Sequence, residues 1–173
     1  MSSARGLTGG TGDVNPQYLT VVAPQSGADT TTTTQVALPI QRLPNAARAQ
    51  VLEILKVFYT IGATSAEVDN QIDVFISTTS FGTTGTNFGE PRVFSAYRRT
   101  LLLTTSGQSI YTEPFVQDLT DGAGHGILIA TDSIFVQVVS ATTSATNSAR
   151  IKIMYRMKNV SLAEYIGIVQ SQQ

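Results

Sequence analysis

The chain has 173 residues, of which 42% are hydrophobic and only 13% charged, with a net charge of −1 and no cysteine. That length suits one domain around a single core, and the apolar content is that of a folded chain. Near-neutrality imposes no global demand for nucleic acid or membrane, and the missing cysteine excludes a thiol nucleophile, a disulfide framework and thiolate metal sites.

In chain order, residues 1–16 are rich in Gly, Ser and Thr and read as a flexible N-terminal segment ahead of one β domain over 17–173. MSSARGLTGGTGDVNP has no apolar centre and is not read as a secretory signal. No apolar run approaches a membrane span, so no membrane partner is expected. Asn159-Val160-Ser161 fits a glycosylation sequon, which counts for little without a secretion signal.

Short runs rich in Thr, Val and Ile follow, bounded by Gly, Pro, Asn or Asp. They predict strands at 18–23, 30–38, 71–79, 92–105, 109–116, 126–130, 133–140 and 149–157, with a last one at YIGIV, 165–169. Ile72, Val74 and Ile76 share a face opposite Asp73. Ile134, Val136 and Val138 share a face opposite Gln137. Such alternation marks half-buried antiparallel strands.

Residues 44–60 carry two signals. Asn45 after Pro44 suits a helix N-cap, and Ala47, Val51, Ile54 and Phe58 recur at helical spacing. VLEILKVFYT also reads as a strand, and a strand over 51–60 after a turn or short helix is the reading taken. Ser161 and Glu164 have capping-box spacing, with room for about one turn of helix before YIGIV. Eight or nine strands with unequal loops predict an all-β sandwich, a single jelly roll.

The reactive residues are few. His125 is the only histidine and sits in DGAGHG (121–126), where a solvated glycine turn is the plain reading. No second histidine or serine-nucleophile motif supports catalysis. GGTG (9–12) and GAGHG lack the Lys and the following helix of a phosphate loop. Asp118 and Asp121 are weak candidates for Ca²⁺, since Asp is ordinary at turns and the spacing is not that of an EF-hand. No other cofactor is expected, and a paired-carboxylate hydrolase on a β-sandwich has nothing to place two acids in one cleft.

RIKIMYRMK (150–158) stands apart. As a strand it turns Ile151, Ile153, Tyr155 and Met157 one way and Arg150, Lys152, Arg156 and Lys158 the other. The ribbon spans about 26 Å, long enough for several phosphate contacts. Arg98 and Arg99 would add to its field if their strand lay near. Plainer readings are a solvated edge guarded by charge, or cross-strand pairing with Glu113, Asp118 or Asp132. Tyr155 lies on the face away from the cations, which argues against base reading of RNA there.

Several segments together resemble a known family: LTGGTGDVNPQ (7–17), TTTTTQVALPIQRLP (30–44), VLEILKVFY (51–59), HGILIATDSIFVQV (125–138) and MYRMKNVSLAEYIGIVQSQQ (154–173). They are similar to small capsid proteins of circular single-stranded DNA viruses that encode a replication initiator. The resemblance implies an eight-stranded jelly roll without enzymatic activity. It implies a virion of about sixty copies in icosahedral symmetry around the genome, assembled in a host cell and recognising a host receptor. One departure is plain: many such proteins begin with an Arg-rich arm, and here the first forty residues hold only Arg5. The inner wall would then supply the positive charge, through Arg150, Lys152, Arg156 and Lys158, with Arg98 and Arg99 behind. The alternative is a jelly-roll binding module, a lectin-like or receptor-binding trimer, using Phe81, Asn87 and Phe88.

Overall fold

A computed structural model describes residues 15–40, 48–62, 70–101, 115–143 and 145–172. Its elements are β1 (Gln17–Pro24), β2 (Thr31–Ala37), β3 (Arg48–Ile61), β4 (Asn70–Ser77), β5 (Val93–Leu101), β6 (Phe115–Asp118), β7 (Ile127–Ile129), β8 (Ser133–Ala141), β9 (Ser148–Ser161) and α1 (Leu162–Ser171). One sheet runs β1-β9-β3-β6, with β7 also on β3, and the other runs β2-β8-β4-β5. All pairings are antiparallel. β7 pairs Leu52–Ile54 and β6 pairs Lys56–Tyr59, so the two share one lane beside β3. The sandwich therefore has eight lanes, four in each sheet, which is the jelly roll the sequence predicts.

The core lies between the sheets. Val21, Leu52, Ile54, Val57, Tyr59, Ile151, Ile153 and Tyr155 of one meet Ile72, Val74, Ile76, Ile134, Val136 and Val138 of the other. Apolar side chains at every second position of each strand drive this, because removing them from water is the main favourable term in folding.

The helical spacing in 44–60 does not mark one face: Ile54 points to the core, whereas Val51 packs under α1 and Phe58 lines the outer side of the sheet. β3 is a strand from Arg48, and its register with β9 slips between Ile54 and Lys56. The extra residue, Leu55, is a β-bulge. It resets the phase so that Leu52 and Ile54 before it, and Val57 and Tyr59 after it, all face the core. Residues 44–47, including the proposed cap Asn45, lie outside the described residues. So does most of the predicted strand 109–116, whose last two residues open β6.

The predicted strand at 165–169 is corrected: YIGIV lies within the ten-residue helix α1. The capping signal prevails, with the Ser161 hydroxyl accepting a bond of 3.2 Å from the Glu164 amide. Helical spacing lets Tyr165, Ile168 and Val169 pack together on Val51, Ala130 and Val160. A strand would have split them between two faces. Gln172 anchors the end, its Oε1 accepting from the Ala130 amide at 3.1 Å.

The outer faces differ in how they are covered. Over the four-stranded sheet lies the 78–92 loop. Buried Gln137 holds it by donating to the carbonyls of Gly82 at 3.2 Å and Thr84 at 3.0 Å, and by accepting from the Thr86 amide at 3.1 Å. Phe88 packs edge-on against Phe75. Helix α1 packs over one end of the five-stranded sheet, and among the described residues nothing packs over the other.

Candidate nucleic-acid interface

The cationic ribbon is β9, flanked by β1 and β3 in the five-stranded sheet. Its alternation is as predicted: Ile151, Ile153 and Tyr155 are buried, whereas Arg150 and Lys152 are exposed. The partners of the four cations divide the ribbon in two.

Arg156 and Lys158 lie beside Glu53 of β3, which is directly opposite Arg156 in the register. The Glu53 side chain is 1% exposed, and Arg156 Nε is hydrogen-bonded to its Oε2. Lys158 Nζ stands 3.9 Å and His125 Nδ1 3.8 Å from Oε1. The Gly126 amide donates to Oε1 at 3.1 Å, and Arg156 Nη2 donates to the Gly124 carbonyl at 3.0 Å. Burial alone pushes the Glu53 pKa up. The Arg156 and Gly126 hydrogen bonds, with the charges of Arg156 and Lys158, outweigh that and hold it below the ordinary 4.5. Glycine is required at 126, where a Cβ would stand 2.0 Å from the Ile54 carbonyl oxygen. These two cations thus meet a carboxylate of their own chain, and Glu53 is not among the acids that sequence suggested. Its signal was a single acid within the apolar run VLEIL.

Arg150 and Lys152 have no carboxylate partner among the described residues. They line a shallow depression of about 310 Å³ with Thr20 and Tyr18 of β1 and Thr60 and Phe58 of β3. The register explains the grouping: Lys152 lies between Thr20 and Phe58, and Arg150 between Val22 and Thr60. Lys152 Nζ sits 4.1 Å from the Tyr18 ring centroid, a cation–π contact. Tyr18 is 52% exposed and tilted against Phe58, with centroids 6.5 Å apart. Neither aromatic was singled out from the sequence, because β1 and β3 are brought beside β9 only by tertiary pairing.

Arg98 and Arg99 are on β5, in the other sheet, and do not join the ribbon. Arg98 forms a two-pronged bond to Asp73, at 2.7 and 2.8 Å, and lies over the Phe88 ring. Arg99 is half-buried and donates to the Gly62 carbonyl at 3.1 Å. Burial depresses its pKa.

The turn residues have local work. Asp118 pairs with Lys56 at 2.9 Å and accepts from the Thr120 amide and hydroxyl, which hold its pKa well below the carboxylate range. Asp121 accepts from the amides of Ala123 and His125, while Gly122 and Gly124 take positive φ. Among the described residues no three His, Asp or Glu converge as a metal site.

A two-sheet jelly roll is the class this architecture defines. Among solved structures the chain is similar to polyomavirus VP1 proteins. Merkel cell polyomavirus VP1 in complex with 3'-sialyllactosamine matches 88% of this chain and 98% of that chain, with a TM-score of 0.55 and 10% identity. Trichodysplasia spinulosa-associated polyomavirus VP1 in complex with GM1 oligosaccharide matches 88% and 97%, with a TM-score of 0.57 and 12% identity. The unassembled pentamer of Merkel cell polyomavirus VP1 matches 88% and 98%, with a TM-score of 0.54 and 9% identity. At such identities the likeness is one of fold. No protein-family model and no curated protein matches the chain.

Proposed function

We propose that the chain is a structural coat protein of a virus, which assembles with its own copies into a small closed icosahedral shell and has no enzymatic role. The observation that carries this reading is a jelly roll that matches viral coat proteins over almost their whole length, one of them solved as a pentamer. The finer reading, about sixty copies around a circular single-stranded DNA genome, rests on the sequence resemblance and on closed symmetry. Apolar groups exposed at the margins suit burial between copies: Phe115 and Val116 on edge strand β6, and Leu162 and Ile166 on α1. Many weak contacts repeated in a closed shell stabilise it without a strong pairwise interface. The open end of the five-stranded sheet faces the genome in this reading. Arg150 and Lys152, which have no carboxylate partner among the described residues, neutralise only part of the phosphate charge, and counterions carry the rest. Negative-stain microscopy of the purified protein is the test. Closed, uniform particles are expected, and a protein that stays monomeric under assembly-permitting salt contradicts the reading.

A second reading, a glycan-binding jelly-roll module, draws on the oligosaccharides bound to the VP1 structures. Its sequence-suggested residues are already engaged here. Arg92 lies over Phe81, Arg98 lies over Phe88, and Asn87 accepts from the Gly89 amide. Glycan-array binding by an unassembled trimer would favour it.

A further inference from the structure

We infer that the open half of the β9 ribbon is a nucleotide subsite for single-stranded nucleic acid, in which Arg150 and Lys152 take phosphates and Tyr18 and Phe58 stack a base. The inference deepens the coat-protein reading and rests on it for the source of the strand.

Three features of the depression converge. Its charge is one-sided among the described residues, where no carboxylate pairs with Arg150 or Lys152 and Asp118 is committed to Lys56. Its aromatics are accessible in part: Tyr18 is 52% exposed and Phe58 half-buried, and a base stacked on Tyr18 uses the ring face away from Lys152 or draws that cation off to a phosphate. Its size, about 310 Å³, falls at the lower end of the roughly 300 Å³ and upward that holds a small ligand. Thr20 and Thr60 add hydroxyls that can donate to a phosphate oxygen or accept from a sugar.

The chemistry selects the occupant. Cations beside aromatic faces are what a single strand requires, since each nucleotide carries both an anion and a flat ring. A duplex turns its bases inward and would leave the two rings unused. An apolar surface of a second copy would bury Arg150 and Lys152 without a counter-charge, which is costly. Stacking accepts any base, so the site is indifferent to sequence. That suits a wall that contacts a genome at many places.

The test measures binding of a fluorescent oligothymidylate by anisotropy, across salt concentrations, with a duplex as competitor. Tyr18→Leu with Phe58→Leu should weaken single-strand binding about tenfold and leave the salt slope unchanged. Arg150→Gln with Lys152→Gln should flatten the slope by about 1.4, for two single-strand phosphate contacts. Thermal melting of both variants shows that they fold. If the leucine variant binds as the parent does, or duplex competes as well as single strand, the stacking site is wrong. Loss of particles in the leucine variant with binding unchanged would assign the face to a second copy and overturn the inference. Absence of particles from the parent protein sinks the coat-protein reading, whereas lost stacking preference in a protein that forms particles sinks only this site.

Discussion

Arg156 and Lys158 share a buried carboxylate, while Arg150 and Lys152, on the same face of the same strand, have none among the described residues. The first pair lies where β3 places Glu53 and where the β7 turn and helix α1 close over the sheet. The second lies where β1 and β3 present threonine, tyrosine and phenylalanine to open solvent. Four cations equivalent in sequence are therefore divided by register: one half pairs with Glu53, and the other has no carboxylate partner among the described residues. A row of like charges on a strand says nothing about ligands until the residues opposite are known.

The largest way to break that division is Arg156→Gln, which removes the guanidinium bonded to the buried Glu53 carboxylate and leaves Lys158, at 3.9 Å, as its remaining permanent cation. It should cost about 3 kcal/mol of stability, read from denaturant midpoints. Arg150→Gln, at an exposed position, should stay within about 0.5 kcal/mol of the parent. Equal losses would abolish the distinction. Next in size is Gly126→Ala, whose methyl collides with the Ile54 carbonyl and pushes the Gly126 amide away from Glu53. A loss of about 2–3 kcal/mol is expected by calorimetry.

Acid should reveal the same pair. The Glu53 pKa is lowered on folding, so its contribution is complete above the unfolded value near 4.5. It is lost as pH falls through the lower folded value. The melting temperature should therefore drop on acidification below about 4.5, and less steeply in the Arg156→Gln variant. A smaller loss concerns the lid over the closed half. Ser161→Ala removes the α1 cap and should cost about 1 kcal/mol, with faster amide exchange along the helix.

How much of this was legible in sequence depends on the range of the interaction. Alternation in β4, β8 and β9 displayed the strands and their buried faces directly, because a period of two is local. The capping pair Ser161 and Glu164 was also legible, but YIGIV fits two periods. Only its packing on Val51 and Val160 selects the helix. Within β3 the bulge at Leu55 breaks the period of two, so the run 51–60 does not alternate cleanly and its single buried face was not legible. The cations were visible, but their partners were not. Glu53 lies about a hundred residues from Arg156, and Tyr18 lies farther still from Lys152. Arg98 and Arg99 were tied to the ribbon only on the condition that their strand lay near, and β5 belongs to the other sheet.

The most direct measurement is the nucleic-acid content of assembled particles, from their absorbance ratio, for the parent and for Arg150→Gln with Lys152→Gln. The account predicts closed particles from both proteins, with clearly less nucleic acid retained by the variant. Equal retention in particles of equal size would contradict it.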